Sequence, residues 1–200
     1  DQTGLAEVTF SSGDNVKSFT KEQIEQLKGK INVAFAHACE LPTSDCHLED
    51  PLAAHRQFLS RIVRSRRANL PRPKLFTTNY DLVLERSLDE LGYPYIDGFS
   101  GTVERRLNLA YYGLDFHRVE TTSQQVVARA DSALYLHKIH GSLNWKPRIS
   151  AETGVTTLEV VQVPEGSASI QEPVLIYPTA AKAGDSLSYP YSDLMRLLSD

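Results

Sequence analysis

The sequence predicts an α/β fold built on a parallel sheet, with helices on both faces and a helical, partly irregular insertion. Three observations predict it. Short apolar runs of strand length, at 74–78, 133–141 and 173–178, are separated by longer segments. The segment before the first run and the one after it carry apolar residues at helical spacing. Strands that alternate with helices favour a parallel sheet, because parallel neighbours need a crossover between them. Finally, the 200 residues are 41% apolar and 23% charged, enough to enclose a core without disulfide staples.

Residues 1–49 read as an irregular and helical N-terminal segment. Ser11-Ser12-Gly13-Asp14-Asn15 is a turn cluster, and Thr20-Lys21-Glu22-Gln23 has the form of a capping box that starts a short helix. Residues 31–41 are apolar and fit a helix or a buried strand equally well. At Asp50 an N-cap precedes Pro51, and Leu52, His55, Leu59, Ile62 and Val63 recur at helical spacing until Pro71 and Pro73. Residues 74–78 form a buried strand that runs into a helix with Leu84, Leu88 and Leu91 facing inward and Gly92 as its C-cap. Residues 93–131 hold the insertion. The second clear strand, 133–141, ends in a glycine turn; 155–163 alternate loosely and fit an outer strand paired with 173–177.

Composition excludes several classes of function. A net charge of −4 gives no global attraction to nucleic acid or anionic lipid. No apolar run approaches the ~20 residues of a membrane helix. Two cysteines, Cys39 and Cys46, cannot build a secreted disulfide framework, so a reducing cytoplasm is the expected compartment. The chain opens on Asp1 and its only methionine is Met195, so an incomplete piece of a larger domain is expected.

The chemistry concentrates in two blocks. Thr77-Thr78-Asn79-Tyr80-Asp81 follows one strand, and His140-Gly141-Ser142-Leu143-Asn144-Trp145 follows another. Ligands of open α/β sheets bind outside the carboxyl ends of the strands, where both blocks fall. The first supplies hydroxyls, an amide and a carboxylate; the second an imidazole, with Gly141 leaving room for a ligand. Each block also has a plain structural reading. Thr78 or Asn79 can cap the following helix with Asp81 in its first turn, and His140 can be a core histidine.

Phe76-Thr77-Thr78-Asn79-Tyr80-Asp81, Lys138-Ile139-His140-Gly141-Ser142-Leu143-Asn144-Trp145 and Val174-Leu175-Ile176-Tyr177-Pro178-Thr179 together resemble the sirtuin-like domain of bacterial antiphage defence NAD hydrolases. The resemblance covers residues 50–200, the expected central part of that domain, and implies a Rossmann-like sheet. It also implies hydrolysis of NAD at the nicotinamide–ribose bond, and hence NAD depletion in antiphage defence. Asn79 and His140 are then catalytic, and Thr77, Thr78, Asn79, Asp81, Gly141 and Ser142 contact NAD. NAD is the substrate and no metal is implied. A homo-oligomer is expected, with a partner ATPase or sensor domain in the same protein or operon; membrane and nucleic-acid partners are not.

Two features depart from the family. No Gly-x-Gly-x-x-Gly or Gly-Ala-Gly turn is present to cradle the pyrophosphate, and the strand that holds adenosine is expected after Asp200. The 200 residues alone are therefore expected neither to bind nor to hydrolyse NAD. A non-catalytic nucleotide-sensing or assembly module of the same fold is the alternative from another class. NAD-dependent protein deacylation is disfavoured, because the four zinc cysteines of classical sirtuins do not follow the His-Gly block.

Two further patterns carry less. His37-x-Cys39 and Cys46-His47 imitate a zinc set, but the ligand spacing is poor. Arg56, Arg61, Arg64, Arg66, Arg67, Arg72 and Lys74 occur without an intervening acid, and read as a solvated helix face or as a contact for an acidic partner or phosphate.

Overall fold

The computed structural model describes residues 8–12, 15–39, 50–66, 70–121, 126–149, 154–162, 175 and 190–198. The order is β1 (Val8–Ser12), β2 (Asn15–Phe19), α1 (Lys21–Ala38), α2 (Ala53–Arg64), β3 (Lys74–Thr77), α3 (Val83–Leu91), β4 (Tyr95–Ile96), β5 (Phe99–Ser100) and β6 (Arg105–Leu107). A 3-10 turn (Leu109–Gly113) follows, then β7 (His117–Thr121), β8 (Val126–Arg129), β9 (Leu134–Lys138), β10 (Trp145–Ile149), β11 (Thr156–Val160) and α4 (Tyr191–Arg196). None of the described helices is long and apolar enough to cross a membrane.

The capping box forms. The Thr20 amide donates to Gln23 Oε1 at 3.0 Å, and the Gln23 amide donates back to Thr20 Oγ1 at 3.3 Å. The helix it opens is one continuous element to Ala38, so 31–38 are helix, while residues 40 and 41 lie outside the described residues. Ahead of it, β1 and β2 form an antiparallel hairpin that the weak N-terminal pattern did not announce. Asp50 is not the N-cap that was expected: α2 starts at Ala53 with Leu52 at the cap position, and the Asp50 carboxylate takes the Leu52 amide at 2.9 Å in the turn before it. His55 is exposed, unlike Leu52, Leu59 and Val63, so it does not belong to the inward stripe. The core that α2 meets lies under its second half, at Leu59 and Val63.

The centre is a three-stranded parallel sheet in the order β3-β9-β4. α3 crosses over between β3 and β4, and β9 arrives later to fill the gap between them. β4 lies within residues 93–131, so the segment expected to be an insertion contributes a strand to the central sheet. Leu134 and Leu136 of β9 face α2 and α3, closing a core with Leu59, Val63 and Leu88. Gly92, at φ 64°, ends α3. The other face of β9 meets Tyr112 of the 3-10 turn. Among the described residues, α2 and α3 thus share one face of the sheet, where helices on both faces were expected.

A second core lies on a four-stranded antiparallel sheet, β10-β11-β6-β5. Phe99, Leu107, Trp145 and Leu158 pack there against Tyr191 and Leu194 of α4. β11 pairs with β10 and β6, which corrects the expected pairing of 155–163 with 173–177. Leu175 instead bridges Gly141, and the rest of 173–178 lies outside the described residues. A hairpin between sequence neighbours closes a short loop at low entropic cost. Pro147 disguised β10, and it is tolerated because β10 is an edge strand.

Arg72 ties β7 and β8 to this framework. Its side chain is fully buried on the Asp115 carboxylate and donates to the carbonyls of Phe116 (2.6 Å), Ala130 (2.5 Å) and Ala133 (3.4 Å). Burial alone would raise the Asp115 carboxyl, but Arg72 and Arg129 outweigh it and hold it below its ordinary range. Arg72→Ala is expected to cost ~3–5 kcal/mol, since it leaves Asp115 and several buried carbonyls short of a donor. Urea denaturation checks this, and a loss under ~1 kcal/mol would show that the cluster contributes little.

Candidate functional site at the carboxyl ends of two parallel strands

Thr77 closes β3, and His140 lies just past the end of the neighbouring β9. The two blocks are bonded together at this edge. The Ile139 amide donates to the Thr77 carbonyl at 3.0 Å, and the Leu143 amide to the Tyr80 carbonyl at 3.0 Å. Lys138 pairs in register with Thr77 and is buried. Its ammonium reaches across to Glu85 at 2.9 Å and also donates to the Asp81 and Tyr80 carbonyls. Burial pushes the Glu85 carboxyl up, opposed by Lys138. One cation thus pins the first block, the second block and α3 to one another.

The expected site residues divide by exposure. Thr78 and Asn79 are exposed, Thr77 and Asp81 are half-buried, and His140, Gly141 and Ser142 are buried. Thr77 Oγ1 takes the Asn79 amide at 3.0 Å, and Asp81 Oδ1 takes the Val83 amide at 3.0 Å. α3 starts at Val83 with Leu82 at its N-cap position, so neither Thr78 nor Asn79 caps it and Asp81 is not in its first turn; Asp81 instead closes the turn that leads into the helix. Gly141 sits at φ 91°, a conformation that a side chain rarely adopts. The Ser142 hydroxyl donates to Asn144 Oδ1 at 2.7 Å. α1 also reaches this edge. The Phe35 ring meets Tyr80 edge-on at 5.8 Å, and burial together with the Asp81 carboxylate raises the Cys39 thiol.

A cleft of about 480 Å³ opens on the α3 side, with Glu85, Asp89, Asp97, Arg105, Lys138 and Asn144 among its lining. Asn79, Asp81 and His140 are not part of that lining. Arg105 Nη2 holds both carboxylate oxygens of Asp97, at 2.7 and 2.8 Å. The sequence reading missed Lys138 and Glu85 as a pair. Their signal was present: a lysine in a buried strand demands a counter-charge, and Asp81, Glu85 and Asp89 recur every four residues.

On the opposite face of β9, His137 is sandwiched between Phe76 at 4.4 Å and Tyr112 at 4.2 Å, nearly parallel to both. The Tyr112 hydroxyl anchors the stack by donating to the Leu136 carbonyl at 3.0 Å. Gly98 permits it, because a Cβ there would lie 2.5 Å from the Tyr112 ring. Both ring nitrogens of His137 are buried without a hydrogen-bond partner among the described residues. Burial, then Lys74, lowers its pKa to about 4. The unfolded chain protonates His137 near 6.5 and the folded one only near 4, so stability is present above ~6.5 and declines as pH falls between them. His137→Phe is expected to raise stability by ~1–2 kcal/mol at pH 7 and to flatten this acid limb. Denaturation at pH 7 and pH 5 checks both.

The basic segment is not one surface. Arg56 pairs with Asp50 and Glu90, and Arg72 is buried as described. Arg61 and Arg64 are exposed on α2, and Arg67 lies outside the described residues. Cys46 and His47 of the zinc-like pattern lie outside them too. Among the described residues no group of three or more His, Cys, Asp or Glu side chains gathers to hold a metal. Compared with known proteins, the chain matches no protein-family model and no curated protein.

Proposed function

We propose that this chain carries the chemical half of a sirtuin-like site, in a Rossmann-like sheet, that hydrolyses NAD at the nicotinamide–ribose bond. The observation that carries the reading is the joining of the Thr77–Asp81 and Lys138–Asn144 segments at the carboxyl ends of adjacent parallel strands, through the Thr77 and Tyr80 carbonyls. That edge is where open α/β sheets bind nucleotides.

Breaking the bond builds positive charge on the ribose, as in glycoside hydrolysis, while nicotinamide leaves as a neutral base. The leaving group needs no strong acid. Asn79 holds a water or a ribose hydroxyl, and the Asp81 carboxylate stabilises the developing cation. His140 accepts the proton as water adds to the ribose carbon, which yields nicotinamide, ADP-ribose and a proton.

One observation favours a second reading, a non-catalytic nucleotide-sensing module. Thr77 and Asp81 both spend hydrogen-bonding capacity on their own loop. The test follows free nicotinamide after the protein at full native length is mixed with NAD, with the 200 residues alone as comparison. Release by the full-length protein supports hydrolysis. NAD bound and returned intact supports the sensing module, and no binding at full length overturns both.

A further inference from the structure

A second cleft, of about 390 Å³, lies at the amino ends of the parallel strands, ~15 Å along β9 from His140. It is lined by Val63, Arg64, Arg66, Tyr93, Asp131 and Ser132, and shares no residue with the strand-end blocks. Arg66 stands just past the end of α2. Its Nε and Nη2 are buried and meet no acceptor among the described residues. These two donors share one edge of the guanidinium, the edge that engages two oxygens of a single anion side by side. Burial lowers the Arg66 pKa, opposed by Asp115, and repulsion from Arg129 and Arg72 lowers it further. Both of those neighbours are committed to Asp115. Arg64 and Arg66 line the cleft with Asp131, and Arg72, Arg129 and Asp115 act on Arg66 from nearby, so four guanidiniums stand against two carboxylates in this neighbourhood.

We infer that this cleft binds a phosphate group of a small molecule, held side-on by Arg66. The carbonyl end of α2 offsets part of the cationic excess, but among the described residues no carbonyl accepts from Nε or Nη2. A phosphate dianion matches both the excess of two positive charges and the paired donors. A concave site of this volume suits a small ligand, whereas a nucleic acid needs an extended basic track with stacking aromatics. The inference is independent of the NAD reading, since its residues lie at the other end of the sheet.

The test titrates the purified protein with inorganic phosphate, pyrophosphate and ADP while the Arg66 Nε–H resonance is followed by NMR. A saturable shift is expected with at least one of them. Inorganic phosphate sufficing alone would identify a free-anion site, and ADP binding tighter than pyrophosphate a nucleotide site. Arg66→Gln is expected to weaken binding ~10–100-fold, the loss of a charge-assisted bidentate contact. Asp131→Asn keeps Arg66 and removes a competing negative charge, so it is expected to tighten binding several-fold. No saturable shift, unchanged affinity in Arg66→Gln, weaker binding in Asp131→Asn, or tighter binding of a single-stranded oligonucleotide than of all three would each overturn the inference.

Discussion

Asn79→Ala is expected to lower nicotinamide release by the full-length protein ~10²–10⁴-fold, and His140→Ala by a similar factor, from the loss of a group positioned at the reacting bond. The two substitutions differ in their structural risk. Asn79 is exposed and bonds to Thr77 through its backbone amide, which a substitution keeps, so its replacement is expected to change stability by under ~0.5 kcal/mol. His140 is only 7% exposed, so its variant requires a thermal melt beside the rate. Loss of rate with an unchanged melt in Asn79→Ala is the discriminating result. Full activity in that variant would remove Asn79 from the mechanism, and full activity in both would end the proposal.

Lys138→Met is expected to destabilise the fold by ~3–5 kcal/mol, because an uncompensated carboxylate is left in the interior. Lys138 is 3% exposed and supplies the donor for Glu85 and for two loop carbonyls. The loss should depend on pH in a definite direction. Burial already raises Glu85, and without Lys138 its folded pKa rises further above the unfolded value. A raised carboxyl costs nothing below the unfolded pKa of ~4.3 and destabilises progressively as pH climbs through the folded value. Denaturation of Lys138→Met should therefore show a smaller deficit at pH 4 than at pH 8. Adding Glu85→Leu should recover part of the loss at pH 8. A deficit that ignores pH would show that the two loop carbonyls, rather than Glu85, account for the cost.

Much of the local structure was readable because its hydrogen bonds close within a few residues. The Thr20–Gln23 box, the Asp50 turn and the Gly92 helix end are all of this kind. The two strands that carry the candidate site were equally readable, from Leu75-Phe76 and from Leu134-Tyr135-Leu136 at their centres. Pro147 hid β10, and two-residue β4 is too short to show any period. β1 and β2 have no consistent alternation to mark them.

From sequence alone came the parallel α/β character of the centre, the helices α2 and α3, and the fact that both chemical blocks follow strands. Those properties live in periodicity, caps and turns. Tertiary structure alone decided that β9 enters between β3 and β4, that α2 and α3 share a face, and that Lys138 finds Glu85 53 residues away. It also divided the basic segment, burying Arg72 on carbonyls about 60 residues distant while Arg66 Nε and Nη2 meet no acceptor among the described residues. The reason is physical. A buried charge takes whichever counter-charge or carbonyl the packed core brings within reach, and residue spacing along a chain does not encode that choice.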